Sequence, residues 1–387
     1  GSPTYAKVID TPSTVESTEF FGGGGLTWEL FEDRFVQKFR GEVASQKYRG
    51  ETTGGENGSD GKRTHLSYQG TFAFEIPQLL SSAHSLTGAA EWERETYRNV
   101  YPSSASQGLK QERDLFGTVA EYRGEFFDRA FVTGAVRYDQ NDSFKNTLTY
   151  SASGAYLFPD FGTRLHASVG TGSTNPTFFE QFGFVPSSFI GNPNLKPETN
   201  FGWDVGVEQN FWQDRGSFGI TYFQERLEDE IQTQFTPNFE STPVNLNGTS
   251  KRRGIEVSLG LEVIKNLYAK ATYTYLDAKE PSGEQEVRRP PHSGSLSLTY
   301  GFHENRGTVF VDAVYNGEMT DFDFSVSPTR RATLGDYINI NVGADYQVTD
   351  SLQVFGRVEN LLDQDYEEVY GFNTQGFTAF AGFKATF

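Results

Sequence analysis

The stretch Phe377-Thr378-Ala379-Phe380-Ala381-Gly382-Phe383-Lys384-Ala385-Thr386-Phe387 alternates with period two. Phe377, Ala379, Ala381, Phe383, Ala385 and Phe387 fall on one face of an extended strand, and Thr378, Lys384 and Thr386 on the other. A strand with one small-and-aromatic face and one polar face separates an apolar medium from a wet one. If the apolar medium is lipid, the polar face lines a lumen.

The same period recurs upstream. Ile255, Val257, Leu259, Leu261 and Val263 oppose Glu256, Ser258 and Glu262, and Leu296, Leu298, Tyr300 and Phe302 oppose Ser295, Ser297, Thr299 and Gly301. Ile338, Ile340, Val342, Ala344 and Tyr346 oppose Asn339, Asn341, Gly343 and Asp345. A soluble β-sandwich also alternates, so the connections decide. Tight turns are predicted at Val348 to Leu352, His303 to Arg306, Ile264 to Asn266, Pro159 to Gly162 and Phe127 to Arg129. Between them lie long polar segments: Gly317 to Asp336, Asp277 to His292, Arg226 to Arg253, Gly170 to Asn200, Thr96 to Arg113 and Lys47 to Arg63. Short turns on one side and long loops on the other mark an outer-membrane barrel, and a sandwich has no reason to sort its loops this way. A closing strand that stops on Phe387 resembles the last strand of many such barrels.

Composition agrees with strands rather than spanning helices. The chain has 387 residues, 36% of them hydrophobic, and its mean hydropathy is -0.53. No stretch approaches the roughly 20 apolar residues a spanning helix needs, whereas a barrel turns only alternate residues to lipid. The 35 Phe and 19 Tyr suit aromatic girdles at two interfaces, and the absence of Cys fits an oxidising compartment without disulfides. A net charge of -18 argues against nucleic acid as a partner.

The fold class expected is therefore all-β, a transmembrane antiparallel β-barrel in the bacterial outer membrane, in contact with outer-membrane lipid and lipopolysaccharide. About seventeen strands are predicted, an odd number where bacterial single-chain barrels are even. With Phe387 in the periplasm, residues 1–17 form an extracellular N-terminal segment and 18–387 the barrel wall. The parity predicts missing N-terminal strands, supplied by the same gene product or by a second polypeptide.

Three motifs carry a family resemblance. They are Gly191-Asn192-Pro193-Asn194-Leu195-Lys196-Pro197-Glu198, Lys251-Arg252-Arg253-Gly254-Ile255-Glu256-Val257, and Arg357-Val358-Glu359-Asn360-Leu361-Leu362-Asp363-Gln364-Asp365-Tyr366-Glu367 leading into Tyr370-Gly371-Phe372. In this order the chain resembles the barrel portion of TonB-dependent outer-membrane receptors, closest to the vitamin B12 (cobalamin) receptor-like branch. The resemblance implies a barrel of about 22 strands with a plug inside it. It also implies TonB-type energy coupling, which can pass only through the plug that this chain lacks. The implied function is energy-dependent uptake of a large scarce nutrient, a cobalamin-like ligand first and an iron-siderophore second. A plugless passive diffusion channel and a surface-binding barrel used for docking are the alternatives.

The candidate site residues follow from the loops. Phe178, Phe179, Phe182, Phe184 and Phe189 crowd one segment, and Phe235 and Phe239 another. Such rings can hold a large amphipathic ligand or pack together to order a loop. Arg357 and Glu359 share a strand face with Phe355 and are expected to face the lumen. Pro193 and Pro197 hold an extended segment, and Asn360 and Asp363 are expected to close a turn. No cofactor is required, but calcium is possible in the loops at Glu51, Glu56 and Asp60, beside Asn57 and Ser59, with Asp321 and Asp323 in another loop that reads as solvated. The resemblance places calcium-binding acids in early barrel loops. No enzyme is expected: the five His form no metal spacing, and His166, two residues from Ser168, has no evident acid partner.

Overall fold

The computed structural model describes residues 13–52, 54–78, 81–235, 240–323, 326 and 329–386. Seventeen strands form one sheet. The first eight are β1 (Thr14–Leu30), β2 (Phe35–Thr52), β3 (Gly55–Ile76), β4 (Ser82–Asn99), β5 (Gln111–Phe126), β6 (Ala130–Asn141), β7 (Thr147–Phe158) and β8 (Thr163–Thr174). Then come β9 (Glu198–Phe211), β10 (Gly216–Glu228), β11 (Thr249–Ile264), β12 (Leu267–Lys279), β13 (His292–Phe302), β14 (Gly307–Asn316), β15 (Tyr337–Thr349), β16 (Leu352–Glu359) and β17 (Thr378–Ala385). Each pairs antiparallel with its neighbours in sequence, so the wall is one continuous meander. Among the described residues β1 and β17 do not pair with each other. Residues 1–12 and Phe387 lie outside the described residues; β1 begins at Thr14, four residues before the expected wall boundary.

Register sets two faces. One row across four strands reads Ala271, Leu296, Ala313, Ile340, and a neighbouring row reads Lys270, Ser297, Asp312, Asn341. Because the side-chain period is two, every strand inherits this split. The apolar row is the lipid face of a barrel wall and the polar row lines its lumen. The apolar side chains stay bare, with Leu148 at 64% and Phe383 at 73% exposure, as expected where lipid replaces a packed core.

The short connections are sharply built. In the turns after β1, β9 and β13, three successive residues sit in the left-handed region: Phe31 to Asp33, Trp212 to Asp214 and His303 to Asn305. This reverses the chain within four residues and keeps that rim low. At the opposite rim β2 and β3 run for 18 and 22 residues. The long polar loop expected from Lys47 to Arg63 is instead a hairpin paired through to Thr52 and Gly55, with Gly55 at φ +125. Above the membrane neither face needs apolar residues, so this paired segment reads like a loop.

Candidate functional site

The lumen face of β2–β6 is a ladder of ion pairs. Glu91, Glu93 and Glu95 alternate up β4 and meet Arg137, Arg63 and Arg113 respectively. Arg137 also holds Asp139 at 2.8 Å. To reach Glu91 it must cross β5, and Gly117 permits the crossing: a Cβ there would stand 2.5 Å from the Arg137 guanidinium. Arg40 and Glu42 pair at 2.7 Å on β2, with His65 at 3.5 Å from Glu42. Farther round, Arg357 and Glu359 share the face of Phe355 and pair at 3.1 Å, and the Arg357 guanidinium lies over Phe380 at 4.6 Å.

His166 does have acid partners, contrary to the expectation from sequence. Asp204 stands 3.7 Å and Glu208 3.9 Å from its ring nitrogens, both from the neighbouring strand β9. Ser168 donates to Asp204 and not to His166. The acid therefore sits between hydroxyl and imidazole, an order that leaves the serine without a general base.

Over the long-loop rim the segments 175–197, 229–235 and 240–248 join into a cap. Thr177 and Glu180 form a reciprocal capping box for the helix Phe178–Phe182. Phe178 stacks on Tyr97 at 5.9 Å and lies 4.7 Å under the Arg113 guanidinium. Phe182 lies 6.2 Å from Phe178, and its carbonyl accepts from Asn99. Phe179 stacks on Phe189 at 4.6 Å but keeps 44% of its surface exposed. Phe184–Val185, Phe189–Ile190, Ser241–Asn245 and Ile231–Phe235 make a small four-stranded sheet, and Phe235 at the end of its last-named strand is also exposed. Phe239 lies outside the described residues.

The Gly191–Glu198 motif is the staple between these segments. Asn192 donates to the Pro243 carbonyl at 3.0 Å, and the Asn245 amide donates to the carbonyls of Lys196 and Asp229. Glu198 accepts from the Ile231 amide at 2.6 Å, and Leu195 is buried.

Other acids are consumed by arginines. Arg252 of the second motif gathers Glu286 at 2.9 Å, Glu230 at 3.0 Å and Glu225 at 3.6 Å. Burial raises the Glu286 carboxyl above its ordinary range, with Arg252 pulling the other way. Asp321 and Asp323, expected in a solvated loop, are 0% and 1% exposed in the hairpin Met319–Asp323/Arg330–Leu334. Asp321 accepts from Arg288 at 2.9 Å and from the Tyr370 amide at 2.8 Å, and Asp323 pairs with Arg330 at 3.1 Å.

The three acids proposed for calcium lie on the β2–β3 hairpin. Glu51 and Glu56 face each other in register, and Asp60 is held by Arg49 at 2.7 Å. Among the described residues no three acidic or histidine side chains converge as a metal cage. Asn360 does close a turn: it is 1% exposed at φ +49, and its side chain bonds both the amide and the carbonyl of Gln364. Asp363 accepts from the Phe377 amide at 2.8 Å.

Comparison with known proteins agrees with this architecture. The vitamin B12 transporter BtuB of Photobacterium profundum is 29% identical over 312 residues, covering 79% of this chain and 48% of that protein. The BtuB of Vibrio cholerae is 24% identical over 298 residues, covering 76% and 45%. The chain thus spans about half the length of the curated relatives it matches. Among solved structures, the Serratia marcescens hemophore receptor HasR superposes with TM-score 0.78 at 15% identity, covering 97% of this chain and 66% of that one. The Pseudomonas aeruginosa ferric enterobactin receptor PfeA gives 0.73 at 15%, covering 99% and 72%. These likenesses establish a shared fold, and the named relatives are transporters and receptors rather than enzymes. The family profile described as TonB dependent receptor-like, beta-barrel matches residues 8–361, and the chain belongs to that family of bacterial outer-membrane barrels.

Proposed function

We propose that this chain forms most of the wall and the extracellular cap of an importer for a large, scarce nutrient, with cobalamin or a related corrinoid as the first ligand. The observation that carries the reading is the match to vitamin B12 transporters over 79% of the chain. The geometry supports it. Two long segments are stapled into one aromatic cap above a charged lumen, and Phe179 and Phe235 in that cap are partly exposed. Flat rings of this kind suit a wide amphipathic ligand at low entropic cost. Phe178, held between Tyr97 and Arg113, serves the cap's order. Energy coupling to TonB would run through a plug docked against the lumen ladder.

The test is equilibrium binding of cyanocobalamin to the native particle in detergent, with a ferric siderophore as competitor. Saturable binding that the siderophore does not displace, weakened several-fold by Phe179→Ala, is expected. Siderophore binding with no cobalamin binding would move the assignment to iron uptake. Steady ion conductance with neither ligand bound would make the wall a passive pore.

A further inference from the structure

Two rows of lumen-facing residues cross β1–β4 beside the helix Phe178–Phe182. The lower row reads Phe21, Ala44, Arg63, Glu95 and the upper row Glu19, Gln46, Gly61, Tyr97, each in unbroken register. Large side chains stand at both ends of these rows, while Ala44 and Gly61 leave the middle bare. Together with Phe178 they line an open cavity of about 460 Å³.

The two ends of the cavity are flat and aromatic. At the β4 end Phe178 stacks on Tyr97 with the ring planes 6° apart and lies 4.7 Å under the Arg113 guanidinium, so both ring positions are fixed in advance. At the β1 end Phe21 is 69% exposed and offers a bare ring. Three strand spacings separate the ends by about 14 Å. The edges are polar. Gln46 donates to Glu19 Oε1 at 2.9 Å, and among the described residues Glu19 Oε2 carries no hydrogen bond. Arg63 spends Nε and Nη2 on Glu93 and keeps Nη1 as a donor among the described residues.

We propose that this slot binds a nucleotide group, with a planar base stacked on Phe21, its sugar over Ala44, and its phosphate on Arg63. Arg63 stands two strands from Phe21, about 10 Å away, which leaves the sugar's place between them. Glu19 Oε2 accepts from the sugar hydroxyls, and a guanidinium donor suits a phosphate oxygen. The inference rests on the corrinoid reading above and sharpens it, because cobalamin carries base, ribose and phosphodiester in series as a tail on its corrin. A cavity of this volume takes that tail and not a whole corrin with its amide arms.

The test is equilibrium binding of cyanocobalamin, dicyanocobinamide and adenosine monophosphate to the native particle in detergent. Dicyanocobinamide keeps the corrin and lacks the nucleotide. Cyanocobalamin is expected to bind about tenfold more tightly than dicyanocobinamide, as the loss of one base–aromatic stack implies. Phe21→Ser and Gly61→Phe should each narrow that gap to about threefold or less. Nothing lies within 4 Å of a Cβ at Gly61, so a ring there fills the slot without displacing the wall. Equal affinities for the two corrinoids in the unaltered particle, or an unchanged gap in both variants, would overturn the slot and leave the corrinoid reading standing. Binding of neither corrinoid would overturn that reading and the tail assignment with it. Displacement of cyanocobalamin by an equal concentration of adenosine monophosphate would make this a site for free nucleotides and overturn the tail assignment alone.

Discussion

Asn360 shows how much a single side chain holds at the long-loop rim. It is buried in the left-handed region, donates to the carbonyls of Gln364 and Gln375 and accepts the Gln364 amide. Asn360→Gly keeps the backbone geometry and loses the bonds, whereas Asn360→Ala loses both. We expect losses of about 1–3 kcal/mol for the glycine variant and more for alanine, read as shifts in urea unfolding of the refolded barrel. Equal losses would mean that conformation, not bonding, matters there. Glu286 supplies a pH dependence. Because burial raises its carboxyl above the unfolded value of about 4.3, the folded state binds the proton more tightly. Its stabilising contribution is present below that value and lost as pH rises through the raised one. Amide protection of residues 280–291, corrected for intrinsic exchange, should therefore decline across that window in the native chain and stay flat in Glu286→Gln. Such residues mark the limit of sequence reading. The Asn360 turn and the Arg357–Glu359 pair are legible because their partners are neighbours in sequence. The partners of Asp321, His166 and Arg252 come from other strands and loops, so a local window sees an isolated acid, imidazole or guanidinium.

At the scale of elements, alternation makes strong claims about faces. Leu296 and Ser297 are adjacent in β13 but point to opposite media. Leu296→Arg should destabilise the barrel by about 2–4 kcal/mol, while Ser297→Arg is tolerated. Comparable losses in folding into vesicles would refute the assignment of faces. Among the loops, Asn245→Ala removes the bonds to Lys196 and Asp229 and should open segments 229–235 and 240–248 to proteases without moving the unfolding midpoint of the wall. The wall strands and tight turns were readable because lipid enforces strict alternation on one face. Above the membrane that constraint lapses. The β2–β3 extension and the four-stranded cap therefore read as loops, though both are hydrogen-bonded sheet.

For the whole molecule, the decisive fact is that β1 and β17 each have only one partner among the described residues. Lipid cannot satisfy a row of bare amides and carbonyls. In the native particle the free edge of Thr14–Leu30 should therefore exchange as slowly as the middle of the sheet. In the isolated 387-residue chain, refolded into vesicles, it should exchange far faster. Equal rates in the two preparations would mean that the wall closes on itself.

The meander carries one more implication. Among the described residues each wall strand bonds only to the wall strands before and after it. Such a wall behaves as a one-dimensional zipper: cut in any loop, it leaves two sets of wall strands that each keep all their own seams and share just one wall seam. Joining them restores a single ladder of bonds and requires no rethreading. Division of such a wall between two polypeptides, or growth of one by duplicated hairpins, is thus a change of bookkeeping in the chain rather than of architecture in the membrane.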